Sequence, residues 1–170
     1  IIIRMRRSKT LRIMIDFAVP LNNGDAALIF ALGDELEKVG NQIIYSSFNY
    51  KKTKNLYPDK KWKRSVLSNK WINRFPVLNR LYYLIAIMFN QQLREQDLII
   101  AAPGGYINSY YGFQNKLFVL SLYKRILKKK IMMAPQSIGP LTKRDEKLLT
   151  DYLPYFSEFL VRDQRSYERI

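Results

Sequence analysis

Leu11-Arg12-Ile13-Met14-Ile15-Asp16-Phe17-Ala18-Val19, then Pro20-Leu21 and Asn22-Asn23-Gly24-Asp25, opens the regular part of this chain. The apolar run from Leu11 to Val19 reads as a buried strand closed by Pro20. Asp25 to Val39 reads as a helix, with Leu28, Ile29, Leu32, Leu36 and Val39 on one face and Gly40 at its C-terminal stop. Gln42 to Ser46 is a short second strand. Strand, helix and strand at this spacing make a βαβ unit, which requires a parallel sheet. The polar turn between the first strand and the helix suits a ligand held at the helix N-terminus, because glycine permits the tight turn and free N–H groups attract anions or hydroxyls.

Working outward, residues 49 to 75 interrupt the pattern: they are rich in Lys, Asn and Tyr, contain Trp62 and Trp71, and read as an irregular surface insertion. Pro76 starts a helix expected to run to about Leu93. It is apolar almost all round near its middle, which predicts burial against a second lobe or a partner. The alternation then resumes. Asp97 to Ala101 is a strand, Phe113 to Leu127 a helix ending in Lys128-Lys129-Lys130, and Ile131 to Ala134 a strand. Thr142 caps a further helix with Asp145 three residues on, Pro154 limits it, and Glu158 to Val161 is a last strand.

Composition bounds the chemistry. The chain has 170 residues, enough for one core or about half of a two-lobed enzyme, and 48% of them are apolar. It contains no cysteine and no histidine, so disulfides, thiolate metal sites and imidazole acid–base chemistry are all excluded from it. The absence of cysteine favours a reducing cytoplasm. Net charge is +15, concentrated in residues 1–12, 51–80 and 116–130, while residues 13–49 carry a net −4. Such faces are either merely solvated or attract an anionic membrane surface or a phosphorylated substrate. The longest apolar stretch, Leu81 to Phe89, is about half what a bilayer needs. No signal peptide is recognisable, and residues 1–10 read as a basic tail. The chain opens on Ile1, not Met, which leaves open whether residues precede it.

In a parallel sheet the loops that follow strands gather along one edge, where ligands of open α/β sheets bind. Four such loops carry small or polar residues: Asn22-Asn23-Gly24-Asp25, Pro103-Gly104-Gly105-Tyr106, Gln136-Ser137-Ile138-Gly139-Pro140, and Arg162-Asp163 with Ser166. Each has a plain alternative. Asp25 and Asp163 are good helix caps. Gly104 and Gly105 suit a turn, and Tyr106 suits stacking on a substrate. Arg162, ending an apolar strand, needs an anion if partly buried, either a protein carboxylate or a substrate phosphate or carboxylate.

The same residues resemble the polysaccharide pyruvyl transferases, whose members show N-x-G-D near the start, a Gly-rich loop in mid-domain, Q-S-I-G-P, and V-R-D-x-x-S. Here these are Asn22-Asn23-Gly24-Asp25, Pro103-Gly104-Gly105, Gln136-Ser137-Ile138-Gly139-Pro140 and Val161-Arg162-Asp163-Gln164-Arg165-Ser166, in the family's order. Pro103 stands where many relatives have another glycine. The resemblance implies an α/β fold, a Rossmann-like parallel sheet with flanking helices like the N-terminal lobe of a two-lobed GT-B-type transferase. It implies a bacterial enzyme that moves the pyruvyl unit of phosphoenolpyruvate onto two hydroxyls of a sugar in a cell-surface polysaccharide or its lipid-linked precursor.

No cofactor or metal is required by that chemistry. The resemblance casts Asp25 and Arg162 as catalytic, with Asp25 a base and Arg162 the anion contact. It casts Asn23, Gly24, Gly104, Gly105, Tyr106, Gln136, Ser137, Gly139 and Ser166 as substrate-binding. It places donor-binding His and basic residues in a second lobe beyond residue 170, so residues 11–170 alone are expected to be inactive. The expected location is cytoplasmic, with peripheral contact at the inner face of the cell membrane. Two other readings remain open: the acceptor lobe of an ordinary glycosyltransferase, and a nucleic-acid-binding module suggested by the charge and twelve tyrosines. Without a recognisable nucleic-acid motif the last ranks lowest, and no nucleic-acid partner is expected.

Overall fold

The structure is a computed structural model that describes residues 10–69 and 75–170. The basic tail at 1–9 and the stretch containing Trp71 lie outside the described residues. The chain order is β1 (Arg12–Asp16), α1 (Asn23–Lys38), β2 (Gln42–Ser47), α2 (Tyr50–Leu56), β3 (Trp62–Arg64), α3 (Pro76–Met88) and α4 (Gln91–Arg94). There follow β4 (Leu98–Ala101), β5 (Gly104–Ile107), α5 (Gln114–Leu127), β6 (Lys130–Ile138), α6 (Lys143–Tyr152), β7 (Glu158–Val161) and α7 (Gln164–Tyr167).

Every strand pairing is parallel. From one edge the order runs β3, β2, β1, β4, β6, with β7 on the far side of β6. β5 continues β4 along the same flank of β6, since Ala101 is level with Met133 and Gly104 with Gln136. Alternate residues of β1 enter different cores. Met14 packs with Tyr83 and Ile87 of α3 and Leu117 and Leu120 of α5, while Ile13 and Ile15 pack with Ile29 of α1 and Trp62. Helices therefore cover both faces, giving a Rossmann-like α/β sheet. Burial on both faces is why β1 reads as an unbroken apolar run.

Three expectations need correcting. The segment expected as an irregular insertion contains α2 and β3, and β3 extends the sheet beside β2. Gly104-Gly105-Tyr106 and Gln136-Ser137-Ile138 are not loops; they are strand residues of β5 and β6, paired with one another. The helix from Pro76 ends at Met88, and after Phe89 and Asn90 the separate turn α4 begins. Within the described residues of this chain, that helix is covered on one side only. Tyr83 and Ile87 face the core, whereas Leu78, Leu81, Ile85 and Phe89 form an exposed stripe at helical spacing. No helix among the described residues is long and apolar enough to cross a membrane.

Candidate active site

β1 leads to β2 on one side and is flanked by β4 on the other, so the order reverses at β1 and a crevice opens past the carboxyl ends of β1 and β4. Asp16, the last residue of β1, is fully buried there. Its Oδ1 accepts the Phe17 N–H at 2.8 Å, and its Oδ2 accepts the Tyr123 hydroxyl at 2.9 Å. Burial holds this carboxyl above the usual carboxylate range, against opposing hydrogen bonds from Ser46, Phe17, Tyr123 and Ser65. Phe17 follows with φ of 62°, in the left-handed region that non-glycine residues seldom enter. Such outliers persist only where the surroundings over-determine them, and they cluster at ligand-binding turns.

At the β1–α1 turn the cap is Asn22, not Asp25. Asn22 Oδ1 accepts the Asp25 N–H at 2.8 Å, and Asn22 Nδ2 donates to Asp25 Oδ2 at 2.7 Å. Asn23 and Gly24 are exposed at the first two helical positions. Asp25 itself is left with one carboxylate oxygen committed to Asn22 and stands, half-buried, in the wall of a cleft of about 500 Å³. Gly104, Gly105, Tyr106 and Lys116 face Asp25 across this cleft.

Tyr106 spans the break between β4 and β5. Its hydroxyl donates to Ala102 O at 3.1 Å and meets Met133 Sδ at 3.4 Å. Burial of that hydroxyl pushes its pKa up, while the residue as a whole is half-buried. The Lys116 ammonium sits 3.8 Å from the centroid of the Tyr106 ring. Gln136 is fully buried and braces the same break, with Nε2 donating to Ala102 O at 2.7 Å and Ala134 O at 3.3 Å.

A second cavity, of about 450 Å³, is lined by Gly105, Ser137, Gly139, Asp163, Arg165 and Ser166 among others. Asp163 caps α7 as expected, its Oδ1 accepting the Ser166 N–H and hydroxyl, both at 2.8 Å. Its Oδ2 accepts the Ser137 hydroxyl at 2.9 Å, and these bonds hold its carboxyl below the usual range. Ser166 Oγ in turn accepts the buried Ile138 N–H at 2.8 Å. Arg162 is exposed, not partly buried, and its Nε and Nη2 donate to Ser137 Oγ at 3.0 and 2.6 Å. Its partner is thus a hydroxyl that relays to Asp163. Gly139 is required by close packing, since a Cβ there would lie 2.6 Å from Asn108 Cβ.

Seven of the eleven site residues singled out in the sequence line two adjoining cavities that share Gly105 as a wall, while Asn23, Gly24, Gln136 and Arg162 line neither. Asp25, Gly104 and Tyr106 belong to the first; Ser137, Gly139 and Ser166 belong to the second. Three neighbours were missed: Asp16, Tyr123 and Lys116. An acid closing an apolar strand is a readable signal for Asp16; nothing in the sequence distinguishes Lys116 from the other lysines. Among the described residues no cluster of three or more carboxylates could hold a metal ion.

A family model for polysaccharide pyruvyl transferases matches residues 22–170, while no curated protein matches the chain. The match begins at the Asn22 cap and takes in the second cavity, the first apart from Phe17, Val19 and Leu21, and the whole sheet beyond β1. The chain belongs to the polysaccharide pyruvyl transferase family.

Proposed function

We propose that this chain is the N-terminal lobe of an enzyme that moves the pyruvyl group of phosphoenolpyruvate onto two hydroxyls of one sugar, closing a pyruvate ketal. Protonation of the enol methylene makes a methyl group and leaves a cationic C2. One sugar hydroxyl adds to that carbon, phosphate leaves, and the second hydroxyl closes the ring. Of the two hydroxyl protons, one balances the new methyl and the other departs with phosphate. A second lobe of GT-B type would complete the donor site, and the acceptor would be a polysaccharide unit or its lipid-linked precursor.

The observation that supports this reading is the cleft at the switch point. It places one carboxylate, Asp25, opposite backbone that two glycines leave open, with Tyr106 alongside. A sugar offers hydroxyls to a carboxylate and an apolar ring face to an aromatic side chain. With no histidine in the chain, Asp25 is the carboxylate in the wall of this cleft that would take a proton from the acceptor. Arg162 is the further candidate for an anion contact, at the exposed rim beside Ser137.

The test is full-length enzyme supplied with phosphoenolpyruvate or with nucleotide sugars, and an acceptor glycan. Acceptor-dependent phosphate release from phosphoenolpyruvate is expected, with kcat reduced at least about a hundredfold in Asp25→Asn, the usual size of a general-base contribution. Transfer from a nucleotide sugar alone would overturn the reading in favour of a glycosyltransferase.

The exposed stripe of α3 suggests where such an enzyme would meet its acceptor. Leu81, Ile85 and Phe89 are exposed; Phe89 lines a cavity with Lys63 and Arg64, and Tyr82 of α3 lines a second one with Lys51, Lys52 and Arg64. Apolar residues beside clustered cations suit a membrane bearing anionic lipids. Sedimentation with phosphatidylglycerol vesicles but not with phosphatidylcholine vesicles is expected, and Leu81→Glu with Ile85→Glu should abolish it. Equal binding to both vesicles, or none, would remove the membrane contact from the proposal.

A further inference from the structure

Lys116 is poorly placed for stability. It lies in the first turn of α5, where the positive end of the helix disfavours a cation. Burial disfavours it too, and pulls the ammonium pKa down to about 8. Two of the other half-buried lysines have partners. Lys60 pairs with Asp34 at 2.8 Å, and Lys129 donates to the Arg94 and Gln96 carbonyls at 2.6 and 2.7 Å. Lys116 has neither a carboxylate nor a hydrogen-bond acceptor among the described residues.

Its surroundings explain why. Asp16 raises the affinity of Lys116 for its proton from a distance, but Asp16 is fully buried beneath the cleft, with its oxygens committed to Phe17 and Tyr123. Asp25, on α1, is held by its own cap. Tyr123 on the same helix donates to Asp16, and the Tyr106 hydroxyl on β5 points to Ala102. Tyr111, also in the cleft wall, is exposed. The Tyr106 ring is the one compensation, and a cation over a ring keeps its N–H groups free for a stronger acceptor.

Resting on the pyruvyl-transfer reading, we infer that Lys116 is the anion seat of this cleft, its ammonium held on the Tyr106 ring to receive a carboxylate or phosphate oxygen of the phosphoenolpyruvate donor. Tyr106 acts here as a positioning residue. The alternative source of the same oxyanion chemistry, a phosphate on the acceptor, is separated by the choice of probe.

Two measurements on the full-length enzyme test this. In the first, steady-state kinetics are followed from pH 6.5 to 9.5. KM for phosphoenolpyruvate should be flat below about pH 8 and climb above it as the free ammonium deprotonates. Lys116→Met should raise that KM more than tenfold at pH 7 and leave KM for the acceptor within twofold. Lys116→Arg, which keeps a cation, should recover most of the loss and abolish the alkaline climb. In the second, the Lys116 methylene carbon beside the ammonium is titrated by NMR, with phosphoenolpyruvate, inorganic phosphate or pyruvate present. A midpoint raised by one unit or more with phosphoenolpyruvate supports the seat.

If turnover proceeds while neither KM nor the midpoint responds, Lys116 is not the seat, and pyruvyl transfer stands. A midpoint that moves with inorganic phosphate but not with phosphoenolpyruvate assigns the seat to another phosphate and overturns the donor contact. If phosphoenolpyruvate shifts the midpoint but no transfer occurs, the reaction reading fails and the anion seat survives it.

Discussion

The Tyr123 hydroxyl on α5 and Asp16 Oδ2 at the end of β1 are joined by a 2.9 Å hydrogen bond across 107 residues of sequence, with both side chains out of water. The bond ties together the two elements that carry the cleft: β1 leads into the Asn22–Asp25 turn, and α5 begins at the turn holding Lys116. Replacing Tyr123 by Phe deletes one donor to a buried carboxyl without opening a cavity. A loss of about 1–3 kcal/mol is expected, measured by urea unfolding at pH 7. A variant as stable as the parent would show that the bond is not needed to hold α5 on β1.

Asp16 makes a pH-dependent contribution whose sign follows from its shift. Its folded pKa is raised from the ordinary 3.8, so between 3.8 and the folded value the native state binds more protons than the unfolded chain. Stability from this group is present at acid pH and is lost as pH rises through that window. Asp16→Asn removes the titration, so the parent's urea midpoint, taken relative to this variant, should fall between pH 3.5 and 7. A relative midpoint that is constant or rises over that range contradicts a buried, proton-retaining Asp16.

On the other face of the sheet, a Cβ on Gly33 would lie 1.8 Å from the Tyr45 hydroxyl and 2.8 Å from Cζ. Alanine in a helix interior ordinarily gains about 1 kcal/mol over glycine. Here Gly33→Ala should instead cost about 1–3 kcal/mol through overpacking. The Tyr45 hydroxyl is buried with no partner among the described residues, so Tyr45→Phe alone should be neutral or stabilising. In that background the cost of Gly33→Ala should shrink. Additive effects in thermal unfolding would dispose of the contact.

What could be read from the sequence was what periodicity and punctuation encode. The βαβ unit, the Thr142 and Asp163 caps and the last strand are where apolar spacing and cap residues put them. β3 was not legible because it is a three-residue edge strand, Trp62-Lys63-Arg64, with two cations and a neighbour on one side only. β5 and the end of β6 were missed for a different reason. Gly104, Gly105, Gln136 and Ser137 have little intrinsic strand preference, and their extended form comes from pairing with each other. Asn22 and Asp25 are both good caps three residues apart, and only the geometry shows which one caps.

The second cavity rests on one serine. Ser166 Oγ accepts the N–H of Ile138, which is buried, and donates to Asp163. Ser166→Ala leaves that N–H without its partner and should cost about 1–3 kcal/mol. It should also speed amide exchange at Ile138 while sparing Ile99, at the centre of the sheet. Unchanged exchange at Ile138 would mean that the hydroxyl is not its acceptor in solution.

β6 is the longest strand, and both halves of the site are registered on it: Gln136 is level with Gly104 on one flank and with Val161 on the other. Side chains along a strand alternate, so a slip by one residue would exchange the faces of Gln136 and Ser137. The buried brace would then point outward, and the Arg162–Ser137–Asp163 relay would turn inward. Length in this enzyme is therefore constrained unevenly. The loop before Gln114 or after Pro140 can gain or lose a residue at the expense of one cavity, but a single insertion between Met133 and Ile138 would dismantle both at once.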